Sequence, residues 1–319
     1  MEKFIVKKTT ELTVAEKEQI LNLFNTVFER ERPLQEYENQ NIQNPMGYSY
    51  HTLFIVDDKI VGHNSGVPSY YIVNGERVKV ICNIDTMIAK EHRGIENYYE
   101  LMDTAYCRYK EDGYAMVIGF PNDNAHPLIT AMKFLLDVDK LHTYCLPYRI
   151  GGIKKGMGFL NWASELFCMA WVGLSSLFAS SDVKKNVIAK EDETFNKTRY
   201  KCMDGVYSKV DIDGVIFFYK VKVHEGIRTA FLIDVTQKSA KNYCKAVRYI
   251  MKHETNNFDL LLYVGELLFN CNGMFRIPRK FEPKKFFFTA KILDEKAVKK
   301  NEVFNIKCWD VNLSNYDLI

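Results

Sequence analysis

The chain has 319 residues, 47% of them hydrophobic and 26% charged, with a formal net charge of +3. That is more than one average domain, with ample apolar material for a core, and too near neutrality for a nucleic-acid protein, since no dense Lys/Arg face stands out. Eight cysteines at 82, 107, 145, 168, 202, 244, 271 and 308 show no CxxC and no Cys/His cluster, so neither a zinc site nor a disulfide framework is expected, and no metal is called for. MEKFIVKKTT lacks the apolar core of a signal peptide, so a reducing cytoplasm is the expected setting.

Phe4 to Lys8 reads as a first strand, and Thr13 to Phe28 as a helix whose Val14, Ile20, Leu21, Leu23, Phe24, Val27 and Phe28 recur near period 3.6. Glu29 to Tyr50, with Pro33, Pro45 and Gly47, is a polar loop or short helix over the mouth of a site. Two hairpins follow, with tips at Asp57-Asp58 and Asn74-Gly75; the second pair is a strong type I′ signal. An apolar strand, Ile81 to Ala89, then meets KEHRG, a helix from Ile95 to Gly113 and a second strand, YAMVIGF. A strand, a basic residue and a glycine at a helix start can hold a phosphate, because the first turn offers unpaired amides and the positive end of the helix dipole. Arg93, Gly94 and the amides of Ile95, Asn97 and Tyr98 are the candidates for that role.

LDVDKLHTYCLPYRI supplies one or two closing strands. Gly156 to Ser181 then carries a single charge, Glu165, between Lys154-Lys155 and Lys184-Lys185. Its length admits a membrane span. Yet Asn161, Ser164, Glu165, Cys168, Ser175 and Ser176 fall mostly on one narrow face. A helix buried between domains is therefore preferred, ahead of a membrane-surface helix and a span. From about Glu191 the pattern restarts: hairpin tips at Asp213-Gly214 and Glu225-Gly226, an apolar strand ending near Asp234, a helix KSAKNYCKAVRYIMKHE and a strand DLLLYVG. This repeats the order of the first half and reads as an internal duplication, although VTQKSAKNY has no Arg-Gly at its helix start.

Ile81 to Phe134 resembles the core of the GNAT acyltransferase superfamily. In that family a Q/R-x-x-G-x-G/A loop leads into the third helix; here Arg93 fills its first position and Gly94 follows, while Glu96 and Tyr98 stand at the two later glycine or small-residue positions. Of the family's N-x-x-A-x-x-L-Y-x-x-x-G-F segment, Asn122, Ala125, Leu128 and Phe134 match, whereas Ile129 replaces the tyrosine and Lys133 the glycine. The run IGFPNDN, the upstream NPMGYS and the doubled layout are similar to bacterial tandem GNAT proteins.

The resemblance implies an α/β fold of two GNAT-like domains, each a mixed, mostly antiparallel sheet flanked by helices. The boundaries expected are 1–148 for the acyl-CoA-binding domain, 149–190 for an apolar helical linker and 191–319 for a degenerate second copy. It implies acetyl-CoA or another acyl-CoA as co-substrate, and an amine of a small molecule, amino sugar or peptide as acceptor. The strand backbone at Met87, Ile88 and Ala89 would pair with the pantetheine arm, and Asn122 would hydrogen-bond it. Strand alternation puts Asn83, Asp85 and Met87 on one face, aiming Asp85 at the acyl group as a base. With Ile129 in place of the tyrosine, His126 is the candidate acid, with Tyr98 or Tyr99 as substitutes. Two other readings stand beside this one: a catalytically degenerate GNAT-fold binding protein, and an aminoacyl transferase of the same fold held at a membrane by residues 156–181. The sequence leaves the oligomeric state open.

Overall fold

A computed structural model describes residues 1–200, 206–282 and 284–315; Cys202 lies outside them. In chain order the elements are β1 (Glu2–Lys8), α1 (Val14–Phe28), α2 (Leu34–Ile42), β2 (Tyr50–Val56), β3 (Lys59–Val73), β4 (Glu76–Ile88), α3 (Ile95–Glu111), β5 (Met116–Gly119), α4 (His126–Ala131), β6 (Leu136–Lys140) and β7 (His142–Leu146). Then come α5 (Ile150–Ile153), α6 (Asn161–Phe178), β8 (Ile188–Lys190), α7 (Asp192–Arg199), β9 (Ser208–Ile212), β10 (Val215–His224), β11 (Ile227–Val235), α8 (Ala240–His253), β12 (Leu260–Gly265), β13 (Phe275–Arg276), β14 (Phe287–Ile292) and α9 (Lys300–Val303).

Local chemistry sets many of these boundaries. Thr13 caps α1 through a reciprocal box with Glu16, and Ile20, Leu23 and Phe24 on the inner stripe bury against Leu53 and Ile55 of β2. All four expected hairpin tips form: Asp57-Asp58, Asn74-Gly75, Asp213-Gly214 and Glu225-Gly226 each place both residues at positive φ. That conformation matches the right-handed twist of the flanking strands.

The described residues fall into two units. The first, residues 1–139, 187–200 and 286–308, holds a sheet in the order β1-β2-β3-β4-β5-β14-β6, with β8 added to β3. The second, residues 140–186, 206–282, 284–285 and 309–315, holds the order β13-β7-β12-β11-β10-β9. Each sheet contains a parallel pair joined by a helix, β4-α3-β5 in the first and β11-α8-β12 in the second.

Two sequence expectations are corrected. The expected cuts at 148 and 190 do not follow the fold, because each sheet is completed by a strand from the other half of the chain. β14 pairs antiparallel with β5, and β7 pairs antiparallel with β12. In this way the edge that each parallel pair would leave open is covered. Nor is 149–190 a buried linker. α6 belongs to the second unit, where Cys168 and Val172 join a core with Tyr243, Val247 and Phe258. Its small and polar stripe faces inward because backbone and side-chain partners wait there. Ser164 Oγ donates to the Tyr148 carbonyl (2.9 Å), Asn161 Oδ1 accepts from the Gly151 amide (2.7 Å), and Glu165 pairs with Arg149 (2.6 Å). Its large apolar side chains are left on the outside.

Candidate functional site

The site is built on an irregularity in β4. Its register with β3 slips between His63 and Ser65: Ser65 faces Ile84 and His63 faces Met87, so the turn of chain at Asp85-Thr86 is a bulge. Asp85 takes φ +49, a left-handed conformation that costs a non-glycine residue about 1 kcal/mol and must be held by its surroundings.

Two contacts hold it. The Asp85 carboxylate receives Arg32 Nη1 at 2.5 Å, with both side chains nearly buried, and its carbonyl receives His63 Nδ1 at 3.3 Å. A carbonyl can only accept, so His63 carries its hydrogen on Nδ1, and its Nε2 must accept from His51 Nδ1 at 3.0 Å. His51 Nε2 then accepts from the Thr9 hydroxyl at 2.9 Å. Burial depresses the pKa of both imidazoles, His63 to about 4 and His51 well below its usual value, and keeps the pair neutral. The same burial raises the Asp85 pKa, against the opposing pull of Arg32.

The bulge overturns the expectation that Asn83, Asp85 and Met87 share a face. A bulge inserts one residue and reverses the alternation beyond it. Asn83 lies on the α3 side, where its Nδ2 donates to Tyr106 Oη at 2.9 Å, and so does Thr86, which donates to Asn64 at 2.8 Å. Asp85 turns to Arg32, and Met87 packs with Ile20 and Leu23 of α1 on the opposite side.

Beyond the bulge the parallel pair separates. Pairing of β4 with β5 runs from Val80–Met116 to Asn83–Gly119 and stops, while β4 continues to Ile88. The Ala89 amide donates to Val61 of β3 (2.7 Å), so by strand alternation the N–H and C=O of Ile88 face the side that β5 has left. Arg93 Nε reaches that outward Ile88 carbonyl at 3.0 Å. Gly94 begins α3 with no side-chain cap, and a Cβ on it would meet open space. An uncapped first turn therefore stands beside a vacated strand edge, close to a guanidinium.

At the apex of the opening, buried polar atoms remain unmatched: Asn83 Oδ1, and nearer the start of α3 the hydroxyl of Tyr98. Tyr106 accepts from Asn83, which leaves its own O–H for another acceptor. Burial raises the pKa of both phenols, so both stay protonated at neutral pH.

The other expected site residues are placed as follows. Ile88, Ala89, Arg93, Gly94, Ile95 and Asn97 cluster at the end of β4 and the start of α3, where Asn97 Nδ2 donates to the His92 carbonyl (3.0 Å). Glu96 is exposed. Asn122 turns its Oδ1 onto the amides of Asn124 and Ala125 (3.1 and 2.9 Å), closing the turn before α4. His126 stacks on Phe287 and places Nε2 2.6 Å from Asp137, so its imidazole is engaged away from the bulge. Ile129 packs against the core, as its side chain dictates. The sequence reading missed Arg32, His51, His63, Tyr106 and Asn64. The signal it could have used is the concentration of polar residues (His63, Asn64, Ser65) inside an otherwise apolar strand.

Residues 8–129 match the family model described as an acetyltransferase (GNAT) domain. That match lies within the first unit, which is similar to a GNAT domain. Solved GNAT-fold chains extend the likeness across both units. A probable N-acyltransferase from Enterococcus faecalis V583 shares 12% identity at a TM-score of 0.60, over 92% of this chain and 73% of that one. A GCN5-related N-acetyltransferase from Kribbella flavida gives 10% and 0.62, over 93% and 72%. Eis1 from Mycobacterium abscessus gives 11% and 0.56, over 94% and 76%. At these identities the likeness establishes the fold, including its two-domain layout. No curated protein matches the chain. Among the described residues no group of side chains could hold a metal ion, and no helix is long and apolar enough to cross a membrane.

Proposed function

We propose that the GNAT-like first unit binds acyl-CoA, acetyl-CoA in the first instance, and transfers the acyl group to an amine of a small molecule, an amino sugar or a peptide. The observation that carries this reading is the parting of β4 from β5 beyond Asn83–Gly119, beside an uncapped helix start. The amides of a pantetheine arm can take the place of the missing strand against the outward N–H and C=O of Ile88. The first-turn amides of α3, with the charge of Arg93, suit a pyrophosphate.

In the reaction, the amine lone pair attacks the thioester carbonyl; the C–N bond forms, the C–S bond breaks, sulfur leaves as a thiolate that takes up a proton, and the nitrogen gives up its own proton to water. Asp85 and His126 are held by Arg32 and Asp137, so Asp85 acts through the backbone bulge it fixes. Tyr106, kept protonated by burial at the apex, is the proton donor we assign. Titration calorimetry with acetyl-CoA and CoA, followed by free-thiol release with a panel of amines, tests the reading. Micromolar binding with turnover is expected, and Tyr106→Phe should lower turnover by about a hundredfold at unchanged CoA affinity. Absence of binding to both nucleotides would overturn it.

A second reading has its own support. Because both residues expected to move protons are already engaged, the domain could bind acyl-CoA without turning it over. Tight CoA binding with no thiol release across the amine panel is its signature. A cytoplasmic setting suits either reading.

A further inference from the structure

The helix α6 is turned inside out relative to an ordinary surface helix. Its polar stripe, Asn161, Ser164 and Glu165, is hydrogen-bonded to the 148–151 segment of its own unit. Outward stand Phe159, Trp162, Leu166, Met169, Leu177 and Phe178, each more than half exposed. Singly, such residues are ordinary on a surface; a continuous row of them along an 18-residue helix marks a surface made to be covered. The acidic side chain of the helix, Glu165, lies on the opposite side, paired with Arg149. Exposed lysines bracket both ends, Lys154 and Lys155 before the helix and Lys184 and Lys185 after it, with Asp182 the single exposed carboxylate between the helix and the second pair.

We propose that this face docks the chain on an anionic bilayer surface, with α6 lying in the plane of the interface. At 1.5 Å per residue the helix is about 27 Å long, enough to lay a sustained apolar strip at headgroup depth. The two lysine pairs fall at its ends, where they meet anionic headgroups; each basic residue near such a surface contributes about 1 kcal/mol. Charge also decides against a second copy of the chain as the occupant. Both ends of α6 are basic, so parallel and antiparallel self-packing alike would bring lysine pairs together. The inference stands on the second unit alone and is independent of the acyl-transfer reading.

The test is flotation of the full chain with vesicles of phosphatidylcholine plus phosphatidylglycerol, and with phosphatidylcholine alone. Binding to the anionic vesicles is expected, with a blue shift of tryptophan emission that Trp162→Phe removes. The double variant Leu166→Glu/Leu177→Glu should reduce partition by about tenfold or more, and Lys184→Glu/Lys185→Glu should erase the preference for anionic lipid. All four positions are exposed, and thermal melts confirm that the variants fold. Failure to float, or flotation that the glutamates leave untouched, would overturn the proposal. So would vesicle-independent self-association abolished by the same double variant, which would assign the face to a second copy.

Discussion

The two units answer one geometric problem in opposite ways. Each has a parallel pair that parts after a few residues: β4 and β5 beyond Asn83–Gly119, β11 and β12 beyond Phe231–Leu262. Each has an irregular register just there, at Asp85 in one and between Leu232 and Asp234 in the other. In the second unit the chain's own segment from Trp309 to Ser314 spans the gap. Asn312 bridges to Gly265 and donates to Asp234 (2.8 Å), and the Glu266 amide donates to the Val311 carbonyl (3.1 Å). Gly265 is required there, since a Cβ would lie 2.7 Å from that carbonyl oxygen. The start of α8 is closed as well: the Asn242 amide is taken by Ser239 Oγ and the Lys241 amide by the Ser180 carbonyl. Among the described residues, α3 has no side-chain cap at its start. On the acyl-CoA reading, the ligand site of the first unit is what this fold leaves unfilled.

The largest test of that contrast removes the plug's anchor. Lys238 Nζ lies between Asp234 (3.0 Å) and Asp310 (2.7 Å), all three buried or nearly so. Lys238→Ala removes the cation from between two buried carboxylates, and about 3–5 kcal/mol of stability should be lost in denaturant unfolding at pH 7. The variant should still show no CoA binding in the second unit, because the α8 amides remain capped. A stability unchanged by the substitution would show that the segment is not held by charge.

The next test belongs to the first unit. The folded state holds His51 and His63 neutral, whereas unfolded histidine titrates near 6.5. Their depressed pKa values therefore leave stability intact above about pH 6.5; it falls as acid protonates the unfolded chain, and for His63 the loss is complete near pH 4. His63 alone accounts for about 3 kcal/mol. Protection of the β3 and β4 amides, taken relative to their intrinsic exchange rates, should fall between pH 7 and pH 5 more than that of β10 and β11; an equal fall in both would sink the idea that the pair secures the bulge.

What the sequence made legible was local. Asn74-Gly75 and Asp213-Gly214 announce their turns because positive φ is a property of the residues themselves, and Thr13 with Glu16 announces a helix start in the same way. The β4-α3-β5 unit was readable for that reason. The bulge was not, since nothing in Ile84-Asp85-Thr86 demands it; Arg32 and His63, 53 and 22 residues away, impose it. The exchange of β7 and β14 depends on pairing across more than a hundred residues, which no local pattern records. For α6, the polar stripe was visible in the sequence, but its direction was not, because its partners are backbone groups at Tyr148 and Gly151.

A smaller effect probes the open side directly. Arg93 ties α3 to the outward Ile88 carbonyl and brings its charge to the helix start. Arg93→Ala should weaken CoA binding by about tenfold, the scale of one charge-assisted contact. Because Arg93 is exposed, the melting temperature should barely move. A calorimetric affinity that stays the same would detach this residue from the phosphate end.

The smallest effect concerns a position where sequence and backbone disagree. The family segment has glycine where this chain has Lys133, yet Lys133 keeps a left-handed backbone, φ +56, directly before the buried Phe134. The turn is fixed from both sides: the Lys133 amide donates to Thr130 and the Phe134 amide to Ile129. Phe134 is packed among Tyr98 and Tyr106 of α3. The backbone therefore cannot relax to suit the side chain, and lysine bears the strain. Lys133→Gly relieves it in the folded state while giving the unfolded chain more freedom, two contributions of opposite sign and similar size. The net should be a gain of no more than about 1 kcal/mol, read as a small rise in the denaturant midpoint at unchanged slope. A loss instead would mean that the lysine side chain contributes more at this turn than its backbone strain costs.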